Sequence, residues 1–106
     1  MPTVQETLDA MPGKLIKDKA VGVSAIYQFD LSGDGGGKWF AEVKDCACTV
    51  SQGEHPEPSI TIVMDAEDYL NMATGKLNGQ LAFMTGKLKL KGDMTLAVKM
   101  NTMFEK

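Results

Sequence analysis

Residues 21–44 read VGVSAIYQFDLSGDGGGKWFAEVK, and this stretch decides the fold. Apolar side chains recur at every second position on both sides of a glycine cluster, a period that is typical of strands with one buried face. The glycine-rich residues 33–37 supply the positive φ angles of a hairpin turn. The stretch therefore predicts two antiparallel strands, whose buried faces would carry Val21, Val23, Ala25, Tyr27, Phe29 and Leu31 in the first and Trp39, Ala41 and Val43 in the second.

The residues after this hairpin predict that the sheet continues. We expect a tight connection at 45–48, a third strand at 49–53 and a fourth at 59–64, in which every second side chain is again apolar. Pro56 and Pro58 each remove a backbone donor and restrain the residue before them, so the segment between these strands should be a rigid, exposed link. The pattern predicts a meander, in which consecutive strands pair.

Helix signals lie on both sides of the predicted strands. Thr3 and Glu6 have the spacing of a capping box, and Pro12-Gly13 would end the first helix. A second short helix is expected across residues 15–20. Asp65 is a suitable N-cap for a further helix, with Glu67 and Asp68 in its first turn, where the helix dipole favours carboxylates. A pair of catalytic carboxylates is the alternative interpretation, which the absence of other reactive residues nearby disfavours.

The last third of the chain repeats one tetrapeptide. Residues 74–77 read TGKL and residues 85–88 read the same, and each is best explained as a glycine C-cap with a lysine near the negative end of a helix. Residues 88–91 alternate leucine with lysine, as in a strand, and Gly92-Asp93 would start the final helix. Helices around a sheet predict the α+β class, with residues 1–106 as one domain.

Composition excludes several classes of protein. The net charge is −3, from eleven lysines, no arginine and fourteen acidic residues, which argues against nucleic-acid binding. No run approaches the roughly 20 apolar residues of a membrane span, and residues 1–6 lack the features of a signal peptide. We therefore expect a soluble, cytoplasmic protein.

The reactive side chains are few. Cys46 and Cys48 cannot build a disulfide framework, and we expect two reduced thiols; with His55, the one histidine, they fall short of a closed metal site. The glycine cluster lacks the Gly-Lys-Ser/Thr ending of a phosphate loop and precedes a strand. Nothing identifies an activated nucleophile. We expect no enzymatic activity from this chain, and no metal or cofactor.

Two features of the last third each allow two interpretations. The surplus of methionine there is typical either of an adaptable cavity wall or of gap filling in an ordinary core, and composition alone favours the core. The second feature is a set of lysines, Lys76, Lys87, Lys89 and Lys91. They fit a basic patch for an anionic membrane surface or an acidic head group, or a soluble sheet edge, which is the favoured interpretation.

Several segments, taken in their order along the chain, resemble the sterol carrier protein type 2 family of lipid-transfer domains. The resemblance starts at residues 27–33 (YQFDLSG), continues through 37–39 (GKW) and 44–45 (KD), and is densest at 75–77 (GKL) and 82–93 (AFMTGKLKLKGD). Leu96-Ala97 and Lys99 fit the last helix of the family. The likeness extends from about Val21 to Met100.

The resemblance implies a five-stranded, mainly antiparallel sheet covered on one face by helices, with a hydrophobic tunnel between them. It also implies non-catalytic binding or transfer of a lipid: a fatty acid, a fatty acyl-CoA or a sterol-like molecule. The last helix would act as a lid. By analogy, the lipid-binding residues would be Trp39, Gln80, Phe83, Met84, Met94, Met100, Met103 and Phe104.

The alternative function is a protein-interaction or accessory module that presents an apolar Met/Phe face to a lipid-metabolising enzyme. Transient contact with a membrane surface is compatible with either function. The chain departs from the family pattern at Cys46 and Cys48, in a turn where glycine is more usual, and at Gly79, where proline is common after Asn78. It also lacks the peroxisomal tail, which favours a cytoplasmic location.

Overall fold

The computed structural model of the protein describes residues 3–103, apart from the side chains of Asn101 and Thr102. Five strands form one sheet in the order β3-β2-β1-β4-β5. The strands are β1 (Ala25–Ser32), β2 (Gly37–Lys44), β3 (Ala47–Gln52), β4 (Ile60–Asp65) and β5 (Leu88–Gly92). The helices are α1 (Val4–Ala10), α2 (Ala66–Ala73), α3 (Gly79–Met84) and α4 (Met94–Met103), with 3-10 turns at Met11–Lys14 and Lys17–Lys19.

The capping box at the start of α1 is confirmed. The Thr3 hydroxyl accepts a hydrogen bond from the Glu6 N–H, and the Glu6 carboxylate accepts one from the Thr3 N–H. The second short helix predicted across 15–20 is wrong, because the chain there forms only the 3-10 turn Lys17–Lys19. Ile16 is extended, and its N–H donates to the Met103 carbonyl oxygen of α4, 2.6 Å away, instead of continuing a helix.

The predicted hairpin of β1 and β2 is confirmed, with Phe29 opposite Trp39. The glycine at position 36 is required there, because a Cβ would lie 2.5 Å from the Leu31 carbonyl oxygen. The first strand is shorter than predicted. It begins at Ala25, because Gly22 turns the chain with a φ of 77°, and Val21 is exposed instead of facing the core.

The turn between β2 and β3 is tighter than predicted. Asp45 and Cys46 alone form it, with φ angles of 53° and 60°, and β3 already begins at Ala47. Cys48 therefore lies in the strand, opposite Val43, and not in the connection. Cys46 occupies a left-handed position that favours glycine, which agrees with the residue expected there from the family resemblance.

The predicted meander is wrong after β3. β4 pairs with β1, and the pairing is parallel, so the sheet is mixed although its other three pairings are antiparallel. Periodicity shows which side chains share a face but not which strand lies alongside. The strand with which β4 pairs depends on the path of the link from Gly53 to Ser59, which carries the chain past β2 and β1.

The buried Gln28 side chain holds this link in place. Its amide nitrogen donates to the carbonyl oxygens of Trp39 and Gly53, each 3.1 Å away, and its amide oxygen accepts from the His55 N–H at 2.8 Å. Gln28 projects from the polar face of β1, as predicted, yet it is buried because the link covers it. The link is thus anchored through hydrogen bonds as well as restrained by its prolines.

Both TGKL segments form the predicted glycine C-caps. After α2, the Lys76 N–H donates to the Asn71 carbonyl oxygen and Gly75 has a φ of 84°. After α3, the Lys87 N–H donates to the Ala82 carbonyl oxygen and Gly86 has a φ of 82°. These are paired Schellman turns, and they place α3 between two lysines.

The helices cover one face of the sheet, so the α+β class and the five-stranded, mainly antiparallel sheet are confirmed. α2 packs on β1 and β4, and α4 packs on β4 and β5. The 3-10 turn Met11–Lys14 packs on β3. Alternate side chains of all five strands join the buried helix residues in one apolar cluster.

Candidate functional site

The candidate site is the apolar face of the sheet together with the helix that covers its β4 and β5 side. On this face, the side chains of β1, β2 and β4 are almost completely buried. They are Ala25, Tyr27, Phe29, Leu31, Trp39, Ala41, Val43, Ile60, Ile62 and Met64. Leu88 and Leu90 of β5 extend the face but are only partly buried. The face is therefore closed at its centre and more open at the β5 edge.

α4 covers this face with soft and small side chains. Leu96, Ala97 and Met100 pack against the core while partly buried, and Met103 is completely buried. Asp93 precedes the helix, and its carboxylate accepts hydrogen bonds from the N–H and the hydroxyl of Thr95. These bonds lower the pKa of the Asp93 carboxyl.

Two hydrogen bonds between distant parts of the chain help to attach α4 to the rest of the domain. One is the bond from the Ile16 N–H to the Met103 carbonyl oxygen, and the other runs from the Tyr27 hydroxyl to the Leu96 carbonyl oxygen, 3.0 Å away. Burial, with smaller contributions from the charges of Asp93 and Cys48, raises the pKa of Tyr27 to about 12. The phenol therefore stays protonated, and can keep donating to α4, at alkaline pH values where an exposed tyrosine ionises.

Trp39 lies on the same apolar face, on β2, which is separated from β4 and β5 by the central strand β1. Its ring is buried, and its Nε1–H donates to the Gln5 side-chain oxygen of α1 at 2.7 Å. The indole thus has an apolar body in the core and a satisfied polar edge. It joins the hairpin to the first helix.

α3 has an inverted pattern of burial. Its smallest apolar residue, Ala82, is buried, whereas Leu81, Phe83 and Met84 are 54%, 47% and 74% exposed. With about 100° between successive residues, Leu81 and Phe83 flank the buried side and Met84 points away from it. A hollow of about 250 Å³ on this helix is lined by Asn78, Gln80, Leu81 and Met84.

The structure divides the predicted lipid-binding residues into three groups. Trp39 and Met103 are buried and Met100 is partly buried, all three in the apolar cluster or against it. Gln80, Phe83, Met84 and Met94 are exposed, the first three on α3 and the last at the start of α4. Phe104 lies outside the described residues. The tunnel and the role of these side chains stay predictions.

Sequence reasoning did not single out two residues that attach α4. Tyr27 was predicted to be buried, but a phenol in an alternating apolar strand was itself a signal that its hydroxyl needed a partner. The Ile16 N–H left no such signal, because its partner lies 87 positions away in the chain.

The polar chemistry of the described residues is sparse. The His55 ring packs edge-on to Phe40, and its Nδ1 accepts from the Glu57 N–H. Burial raises the pKa of the Cys48 thiol to about 11, which keeps it protonated. Within residues 3–103, no three His, Cys, Asp or Glu side chains are grouped to hold a metal ion. Across the same residues, no helix is long and apolar enough to cross a membrane.

The structure is an α+β domain with helices over the apolar face of a five-stranded sheet. The chain matches the SCP-2 sterol transfer family over residues 6–105, and it belongs to that family. It is 40% identical over 98 residues to the hydroxysteroid dehydrogenase-like protein 2 of Homo sapiens. That match covers 92% of this chain and 23% of the human protein, so the chain spans about a quarter of its relative's length.

Solved structures show the same fold in two settings. The palmitated SCP2L2 protein of Aedes aegypti has a TM-score of 0.73 and 23% identity, with 92% of this chain and 90% of that chain covered. The stereoselective inverting sec-alkylsulfatase Pisa1 from Pseudomonas has a TM-score of 0.81 and 21% identity, with 99% of this chain covered but only 17% of that chain. At these identities, the two likenesses show the fold alone.

Proposed function

We propose that this domain is a non-catalytic carrier that holds the hydrocarbon part of a lipid between the apolar face of the sheet and α4. The observation that carries the proposal is the cover itself: a fully buried Met103 and a partly buried Met100 lie over a continuous apolar sheet face. Membership of a sterol transfer family supports the class of ligand.

The physical mechanism is desolvation. Each buried methylene contributes about 0.8 kcal/mol, so a long acyl chain needs few polar contacts and no catalytic group. Methionine is unbranched and has several rotatable bonds, so Met100 and Met103 can repack around a chain that enters beside them. A fatty acid is our preferred ligand, and the palmitated form of the Aedes aegypti structure supports that choice.

α4 would act as the lid. It is held to the rest of the domain by side-chain packing and by the hydrogen bonds from Tyr27 and Ile16, and no described strand pairing involves it. The helix can therefore move without breaking the ladder between β4 and β5. Met94, at its exposed first turn, would face the entering lipid.

Lipid extraction from the purified wild-type protein, followed by mass spectrometry, tests the carrier directly. We expect near-stoichiometric fatty acid or a related lipid. Titration of delipidated protein with a fluorescent stearate should then show saturable binding at one site. Met103→Gln should weaken this binding at least about tenfold, because it places a polar amide in the apolar cluster.

Val98→Gln is the matched control, since it makes a similar apolar-to-polar change on the same helix at an exposed position and should leave stearate binding unchanged. Truncation before Met100 should also weaken lipid retention while the sheet remains folded. Protein that carries no lipid and does not bind the stearate would contradict the carrier. It would favour the accessory module instead, for which the exposed Leu81, Phe83 and Met84 on α3 are the supporting observation.

A further inference from the structure

Among the described helices and strands, α3 exposes the most large apolar side chains: three, against Met94 and Val98 on α4. We call the set Leu81, Phe83 and Met84 the α3 face. An amphipathic helix that only packs on its own domain buries its large apolar side chains and exposes small or polar ones. α3 does the opposite, since it buries Ala82 and exposes three large apolar residues over six positions. Such a face costs solubility unless something covers it.

The sequence on both sides of the α3 face carries charge of one sign. Residues 69–92 contain four lysines and no acidic residue, while the remaining 82 residues carry seven lysines and all fourteen acidic residues. The two Schellman turns place Lys76 and Lys87 within three residues of either end of α3. Both side chains are exposed, and neither forms an ion pair with any residue in the range 3–103.

Lys89 and Lys91 extend the positive region along β5. Their neighbours on β4 are Val63 and Thr61, which are uncharged. The ion pair of Lys38 with Glu54 involves β2 and the link after β3, far along the sheet from β5. A net charge of −3 for the whole chain therefore conceals a positive edge.

We propose that the α3 face is the surface by which this domain docks on an anionic lipid membrane. The apolar side chains would enter the headgroup region while Lys76 and Lys87 pair with lipid phosphates and carboxylates beside them. Apolar residues flanked by lysine are the pattern of segments that lie in a membrane interface. Lysine suits this contact, since it acts as a point charge on a flexible stem and needs no fixed partner geometry.

This docking goes beyond the carrier function and does not require it. The two are separable by experiment, because stearate binding is measured without vesicles and docking without added stearate. Docking would set the β5 edge and α4 near the bilayer, since α3 and α4 both pack on β5.

Co-sedimentation with vesicles tests the proposal. We expect the wild-type protein to bind vesicles of phosphatidylcholine with 30% phosphatidylserine, a composition chosen to be roughly as anionic as a cytoplasmic leaflet. Binding to pure phosphatidylcholine should be weaker, and raised salt should weaken the anionic binding. Lys76→Glu with Lys87→Glu should reduce partition by at least about tenfold, because each lysine near an anionic surface contributes about fivefold.

The apolar part needs its own variant. Phe83→Ser with Met84→Ser should reduce partition at low salt while leaving the melting temperature nearly unchanged, since both positions are exposed. Phe83→Trp adds an exposed indole to a chain whose one native tryptophan is buried. Its emission should shift to the blue when vesicles are added.

The matched controls lie outside α3 and β5. Lys14→Glu with Lys44→Glu makes the same change of charge near β3, and Val21→Ser makes a similar apolar-to-polar change at an exposed position. Both should partition nearly as the wild type does. The proposal is overturned if the α3 variants partition like these controls. It is also overturned if the protein binds soluble polyglutamate as tightly as vesicles and the variant Phe83→Ser with Met84→Ser still binds the polyglutamate. The second result would point to an acidic protein partner.

Discussion

The β1–β2 hairpin and the α3–α4 region use apolar side chains in opposite ways. In the hairpin, Phe29 and Trp39 are buried directly opposite each other on a sheet face that other elements cover. In α3, Phe83 and Met84 are exposed, on a helix that packs on β5 and in which Ala82 is the buried residue. The same class of side chain therefore supplies core in one region and accessible surface in the other.

The difference teaches that apolar content alone does not identify a core. A period of two on a central strand ensures burial, because both neighbouring strands and a covering helix share the same face. A short helix at a sheet edge has one packing side only. Its remaining apolar residues stay available for a ligand or a surface.

The largest expected contrast is between two phenylalanines. Phe29→Ala should lower the free energy of unfolding by about 4 kcal/mol, because it leaves a cavity among Tyr69 and its neighbours. Phe83→Ala should change it by less than about 0.5 kcal/mol, since half of that ring is exposed. Urea denaturation of both variants measures the two values. Equal losses would show that α3 is part of the core.

The next contrast concerns the hydrogen bond that joins the two regions. The pKa of Tyr27 is raised from 10.0 to about 12 in the folded state. The protonated phenol therefore contributes fully to the free energy of unfolding below pH 10, and this contribution is lost as pH rises from 10 to about 12. The shift of about two pKa units corresponds to a loss of roughly 3 kcal/mol in the free energy of unfolding.

Tyr27→Phe should cost about 1 kcal/mol at pH 7, through loss of the bond to Leu96, and should flatten the alkaline decline above pH 10. Urea denaturation between pH 7 and 12 measures both effects. Cys48 contributes to the decline from pH 9 to about 11 in both proteins, because burial raises its pKa too. Parallel declines in the two proteins would contradict the role of Tyr27.

Two glutamines sharpen the contrast further. Gln28→Leu should cost about 2 kcal/mol, because it leaves the His55 N–H and the carbonyl oxygens of Trp39 and Gly53 without this partner. Gln80→Leu, on the exposed side of α3, should have almost no effect on stability. Thermal denaturation of the two variants measures the difference. If Gln28→Leu leaves the melting temperature unchanged, the link to β4 is held by its prolines alone.

The smallest expected effects come from two left-handed positions. Cys46→Gly should raise the free energy of unfolding by about 1 kcal/mol, because Cys46 carries a side chain at a φ of 60°. Gly86→Ala should lower it by about 1 kcal/mol, through backbone strain alone, since a Cβ there meets open space. Guanidinium denaturation under reducing conditions tests both. Changes of the same sign would refute this explanation.

Local signals in the sequence predicted much of the fold. The capping box of Thr3 and Glu6, the N-cap at Asp65 and the two TGKL C-caps all form as expected, because each depends on residues within one helical turn. The alternation in β1, β2 and β4 likewise identified the buried face. Tertiary contacts overrode the local pattern at Ile16, whose N–H bonds to α4.

The candidate site was less accessible to sequence reasoning. Met103 and Trp39 are buried in the apolar cluster, whereas Phe83 and Met84 are exposed, and residue type alone could not separate the two pairs. Only the position of α3 at the β5 edge distinguishes the two groups. Their roles in lipid binding stay predictions.

The sequence by itself determined which residues of each strand face the core and where most helices begin and end, since these depend on near neighbours in the chain. Tertiary structure alone decided that β4 pairs in parallel with β1 and that Gln28 is buried beneath the link. It also decided that α3 turns its large apolar side chains outward. Each of these depends on contacts between residues distant in the chain, and side-chain periodicity carries no information about such partners.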